Sequence, residues 1–174
     1  MNQTIRFVLF SIVFSIFLCI VQIANAQTWK PAYEKSAKAI DTILLLEVKA
    51  EAIVIKGGDT TFDTQSMTFK KGPKILALEK QEGTIMDLLS SITKPIPFLV
   101  KRELYDRFGK EAEQYALKSN AIGTQSGDVA NLFYPYYRDR SNHLLSMKTF
   151  LIGIAMGSDL DQEIAGNLKT IGVN

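Results

Sequence analysis

The chain has 174 residues, 47% of them hydrophobic, with 20 basic side chains against 18 acidic ones. A net charge of +2 lacks the strongly basic character that nucleic-acid binding asks for. The length suits one domain with a real core better than two, and the single cysteine excludes a disulfide framework.

Residues 1–26 read as an export signal. Arg6 gives a positive start, an apolar run extends from Phe7 to Val21, and Ala24-Asn25-Ala26 supplies a small-x-small cleavage site. The competing reading is a retained anchor, because the run approaches the roughly 20 residues that span a bilayer. Cys19 does not make a lipobox, since Leu18 precedes it and no polar tether follows. Cleavage leaves 27–174 as a single globular domain of near-neutral charge and without cysteine, so thiol catalysis and cysteine-ligated zinc are excluded. Membrane contact is then expected only through the signal peptide before cleavage, and the product is periplasmic or secreted.

The mature part reads as helices separated by Gly, Pro and Ser. A helix is predicted from about Pro31, which suits a first turn, to Ile55. Tyr33, Ala37, Ile40 and Leu44 form one row, and Ile43, Leu46, Ala50 and Ile53 another. Gly57-Gly58 ends it, although Ala52 to Ile55 is β-branched enough to finish as a strand. Thr60-Thr61-Phe62 and Ser66 to Phe69 have strand-like composition. Lys70-Lys71-Gly72-Pro73 reads as a turn, after which Lys74 to Leu78 either pairs back as a hairpin or opens a helix over 74–82.

Gly83 terminates whatever precedes it, and Thr84 to Asp87 is a weak capping box opening a short helix through Ile92. Pro95-Ile96-Pro97 stops that helix and launches another to about Ser119, with Val100, Leu104, Phe108, Ala112 and Tyr115 on one face. Arg102/Asp106, Glu103/Arg107 and Asp106/Lys110 are intrahelical pairs on the other, each worth about 0.2–0.5 kcal/mol. A polar loop covers Gly123 to Gly127. A helix from Ser126 or Asp128 is expected to be disturbed at Pro135. Residues 141–156 read as a central core helix, apolar nearly all round in its second half. Ser158 to Asp161 is a further cap after Gly157, its acidic residues favoured by the helix dipole, with Leu160, Ile164 and Leu168 inward. The expected fold is mainly α, a compact single-domain helical bundle of about five or six helices, with room for a small β-hairpin near 60–80.

No residue combination here compels a catalytic, cofactor or metal assignment. His143 is the only histidine, so a multi-histidine metal site is excluded. Asp139 stands one helical turn before it, but a helix-start histidine near solvent explains the pattern better. Gly123-Thr124-Gln125-Ser126-Gly127 is not the Gly-x-Ser-x-Gly of a nucleophile elbow. Glu111/Glu113 diverge on a helix, and Asp159/Asp161/Glu163 have a capping role, which leaves no convincing glycosidase pair. Lys56 to Thr61 lacks the spacing of a phosphate-binding loop. Lys70, Lys71 and Lys74 form a basic cluster that suits a solvated turn better than an anionic surface.

Phe133 to Arg140 is the best candidate binding surface, because aromatics and arginines are enriched at interface hot spots. Its candidate residues are Tyr134, Tyr136, Tyr137, Arg138 and Arg140. The competing reading sends the aromatics into the core and pairs the arginines with nearby acids. By elimination, the sequence suggests an exported non-enzymatic protein that binds a protein partner in the periplasm or envelope. The alternatives are a carrier of an apolar ligand held between helices and a small enzyme using His143.

Overall fold

The computed structural model describes the backbone of residues 3–63, 65, 68–123 and 127–170. Side chains are described over 28–61, 69–123 and 130–157, and at 63, 65 and 159. Helix α1 spans Gln3–Ile55, the antiparallel strands β1 and β2 span Thr60–Asp63 and Thr68–Lys71, and α2, α3 and α4 span Pro73–Ile92, Phe98–Gly123 and Asp128–Thr170. The most extensive contact is α3 on α4, followed by α1 on α2. The hairpin leans on α4, with the Phe69 ring 5.7 Å from that of Tyr136.

The mainly helical expectation holds, but four helices are present among the described residues rather than five or six. The difference arises where a sequence break is absorbed. Pro31 lies inside α1 rather than in a first turn. Gly83 and Thr84 lie inside α2, where the Thr84 hydroxyl donates to the Lys80 carbonyl instead of capping a new helix. Continuity there keeps Ile75, Glu82, Met86 and Leu89 on one buried face. Pro135 lies inside α4. The helix survives it in a tight environment: the buried Ser119 donates to the Tyr134 carbonyl at 3.1 Å, and a Cβ on Gly123 would stand 3.0 Å from the Tyr134 ring. Gly157 and Ser158 are also passed without a break, so Asp159 is no helix cap but pairs with the buried Lys101 of α3 at 3.0 Å. The side chains of Leu160, Ile164 and Leu168 lie outside the described residues, as do those of the expected signal peptide and its cleavage site.

Other boundaries follow the residues closely. The Gly57 N–H donates to Val54 and the Gly58 N–H to Ile53, with Gly57 at φ +73°, which is a Schellman close and leaves 52–55 helical. Lys70-Lys71 belongs to β2 rather than a turn, and Lys74 to Leu78 is helical, so the hairpin pairs Thr60 with Lys71 and Phe62 with Phe69. Asp59 then closes the unit. Its backbone sits at φ +63°, its carbonyl accepts from the Gly72 N–H, and its side chain accepts from the Ile75 N–H at 2.7 Å, capping α2 from 16 residues away. Any Cβ at residue 72 would meet the Asp59 carboxylate at about 2.5 Å, so glycine is required there.

The core gathers Ile40, Ile43 and Val54 of α1, Ile75 and Leu89 of α2, Leu104, Phe108 and Tyr115 of α3, and Tyr136, Leu144 and Leu151 of α4. Residues 141–156 are not buried all round. Leu144, Met147, Leu151 and Ala155 face inward, while Leu145, Phe150 and Met156 are exposed. Two charges of the expected intrahelical pairs of α3 bond across helices, Asp106 to Lys148 of α4 at 2.6 Å and Arg107 to Asp41 of α1, while the charges of Arg102 and Lys110 still act on Asp106.

Candidate functional site

The charged centre of the molecule lies between α1, α2 and α4. Glu47 falls inside the apolar row Ile43–Leu46–Ala50, Glu79 and Glu82 inside the row Ile75–Met86–Leu89, and Arg140 between Tyr136 and Leu144. Helical spacing of three and four residues therefore delivers charged groups into a buried seam. Arg140 is wholly buried. Its Nε donates to Glu47 Oε2 at 2.8 Å and a terminal nitrogen to Glu47 Oε1 at 2.5 Å, a bidentate grip. The other terminal nitrogen bonds Glu79, and Glu82 Oε2 stands 3.4 Å from the guanidinium.

A second tier surrounds this pair. Lys71 of β2 reaches Glu79 and Asp139, each at 2.8 Å. His143, half-buried one turn after Arg140, places Nε2 at 3.1 Å from Glu82 Oε2. The alternative pairing of His143 with Asp139 is not the one formed: Asp139 pairs with Lys71, and the acid beside His143 comes from α2. Four carboxylates thus face two fixed cations, an excess of two negative charges while His143 is neutral. Glu82 Oε1 is buried with no hydrogen-bond partner among the described residues, and so is the Tyr136 hydroxyl.

The electrostatics divide the carboxylates. Burial raises the Glu47 pKa, and the Arg140 hydrogen bonds and charge do not fully offset it. Burial also pushes on Glu79, but the Lys71 hydrogen bond and the charges of Arg140 and Lys71 outweigh it, so its pKa is lowered. Arg140 resists the same desolvation through its bonds to Glu47 and stays charged.

Beside this centre lies an aromatic wall. The rings of Tyr115 and Tyr137 stack at 5.9 Å, and both hydroxyls turn toward Glu51, at 3.5 and 3.0 Å. Lys118 closes on the same carboxylate at 2.7 Å. Burial, then the bond to Glu51, pushes the Tyr137 phenol up to about 12.

The five candidate residues of the aromatic segment do not share one surface. Tyr136, Tyr137 and Arg140 are buried, Tyr134 is half-buried, and only Arg138 is exposed. Glu47, Glu79 and Glu82 were not singled out by sequence reasoning. The signal that marks them is a charged residue occupying an apolar helical row. Chemically, the cluster offers fixed charge, a histidine within reach of solvent and, at Glu82 Oε1, a buried carboxylate oxygen without a hydrogen-bond partner among the described residues. Comparison with protein-family models, curated proteins and solved structures finds no match to this chain.

Proposed function

We propose that the chain is an exported, non-enzymatic module that binds a protein partner in the periplasm or envelope, through the outer face of α1. One observation carries this reading. Leu45, Val48, Ala52 and Ile55 follow one another at three- and four-residue spacing along α1, all exposed, and the three larger ones are each more than half accessible. An apolar row of that spacing is the seam a helix presents to another helix, and apolar stripes left in water mark interaction sites. Lys35, Lys49 and Lys56 run along one flank of it and are exposed. The fitting occupant is an amphipathic helix of the partner, apolar at its centre and acidic along the edge that meets those lysines.

Export rests on Arg6, the apolar run and Ala24-Asn25-Ala26. Cleavage after Ala26 would leave the part of α1 that carries the docking row in the mature chain. The test is crosslinked capture of the partner from native cells, with and without Val48→Asp and Ile55→Asp. The reading expects one stoichiometric partner, held by the parent chain and lost from the double variant at unchanged helical circular dichroism. Equal capture by both chains sinks the assignment of the surface, and no stoichiometric partner sinks the function.

A further inference from the structure

We propose that Glu47, Glu82 and His143 form a divalent-cation site suited to zinc. Each offers one ligand atom, and the three atoms lie within 4.8 Å of one another. They come from three different helices, α1, α2 and α4, so a bound ion would tie these elements together at the charged centre.

Two further observations point to a cation. Glu82 is buried to within 1% of its surface, yet its Oε1 has no hydrogen-bond partner among the described residues. A carboxylate oxygen so placed carries a desolvation cost that a positive ligand removes. The surrounding groups, with Glu79, Asp139, Lys71 and Arg140 included, also hold two negative charges in excess while His143 is neutral, which a divalent ion would balance.

Arg140 borders the site, with the terminal nitrogen that grips Glu47 Oε1 also 3.4 Å from Glu82 Oε2, and leaves Glu82 Oε1 free to bind. It takes one lone pair from each oxygen of Glu47, and a carboxylate has about four acceptor positions. It stands instead as the outer hydrogen-bonding partner that fixes a metal-ligating carboxylate. The donor set selects the ion. One imidazole and two carboxylates are donor types that zinc accepts, and three protein ligands leave it a fourth position for water, whereas magnesium and calcium favour oxygen alone. The His143 side chain is 31% exposed, which provides access from solvent.

The test uses the tag-free, chelator-treated chain, titrated with zinc sulfate by calorimetry and followed by NMR of the imidazole. His143 is the only histidine, so its ring signals are unambiguous. The expected result is one zinc per chain with shifted ring resonances, unchanged by the same concentration of magnesium. His143→Ala and Glu82→Gln should each weaken binding by about tenfold or more, at least the loss caused by removing outer-shell partners. If Glu82→Gln fails to fold, His143→Ala decides alone, since its side chain is partly in solvent and its circular dichroism verifies the fold. No stoichiometric binding, equal affinity in His143→Ala, or an equal response to magnesium each overturns the site.

Discussion

Glu47 and Val48 are neighbours on α1, and each stands where the other would be expected. Glu47 is buried in the seam with Arg140, while Val48 is more than half exposed. Among the described side chains of the helix the ordinary sorting mostly holds, with Ile40, Ile43, Leu46 and Val54 inward and Lys38 and Asp41 outward. Among the described side chains of α1 the inversion comprises one charged position inside and one apolar row outside. The inner one has its own partner in Arg140. The outer row is left exposed among the described residues, which is why the proposed partner contact is placed there. The same charge that strengthens the interior when complete would ruin it when incomplete, whereas the surface row should be nearly indifferent to change in the isolated protein.

That contrast can be broken in order of severity. Arg140→Met strands Glu47 and Glu82 in the interior and should cost about 3–5 kcal/mol of unfolding free energy, read by urea denaturation. Adding Glu47→Gln and Glu82→Gln should recover part of the loss, because the uncompensated charges are then gone. Leu144→Ala, in the same stretch of α4 but apolar, should cost about 2–5 kcal/mol through the cavity it leaves. An Arg140 effect below that of Leu144 would mean that the charged seam is better hydrated than its burial indicates. Asp59→Ala removes the cap on α2 and keeps an L side chain at positive φ, for about 0.5–2 kcal/mol. Asp59→Gly should cost less, since glycine adopts that backbone freely.

Glu79 sharpens the comparison by pH. Its folded pKa lies below the ordinary value of 4.5, so its contribution is present above that pH and disappears as pH falls through the folded value. Glu79→Gln should therefore flatten the acid limb of a stability–pH profile and leave its shape above pH 4.5 unchanged. Smallest of all, Val48→Asp should alter the stability of the isolated chain by no more than about 0.5 kcal/mol, while removing partner capture. A larger loss would place Val48 in the fold rather than at an interface.

Much of the helical architecture was legible because α1 and α3 carry long apolar rows with plain stops at Gly57-Gly58 and Pro95-Ile96-Pro97. The breaks at Gly83, Pro135 and Gly157 were overread, since tertiary context overrides a local residue preference of about 1–3 kcal/mol. The hairpin appeared in composition, but its register depended on Asp59 reaching Gly72 and Ile75, a contact that no periodicity contains. The charged seam was half visible. Arg140 and His143 drew attention through neighbouring aromatics and rarity, yet their acids lie 58 to 93 residues away in sequence. Glu47, Glu79 and Glu82 each look like an ordinary solvated charge until the row containing them is recognised as the inward one.

The grip of Glu47 on Arg140 also bears on how this protein can change over generations. Altering either residue alone leaves a charge without its counterpart, so a lineage that loses one is pressed to replace the other soon afterwards. Divergent descendants should therefore show the two positions exchanged together for an apolar pair or kept together, with mixed combinations rare, while the lysines flanking the outer row of α1 drift with the partner they meet.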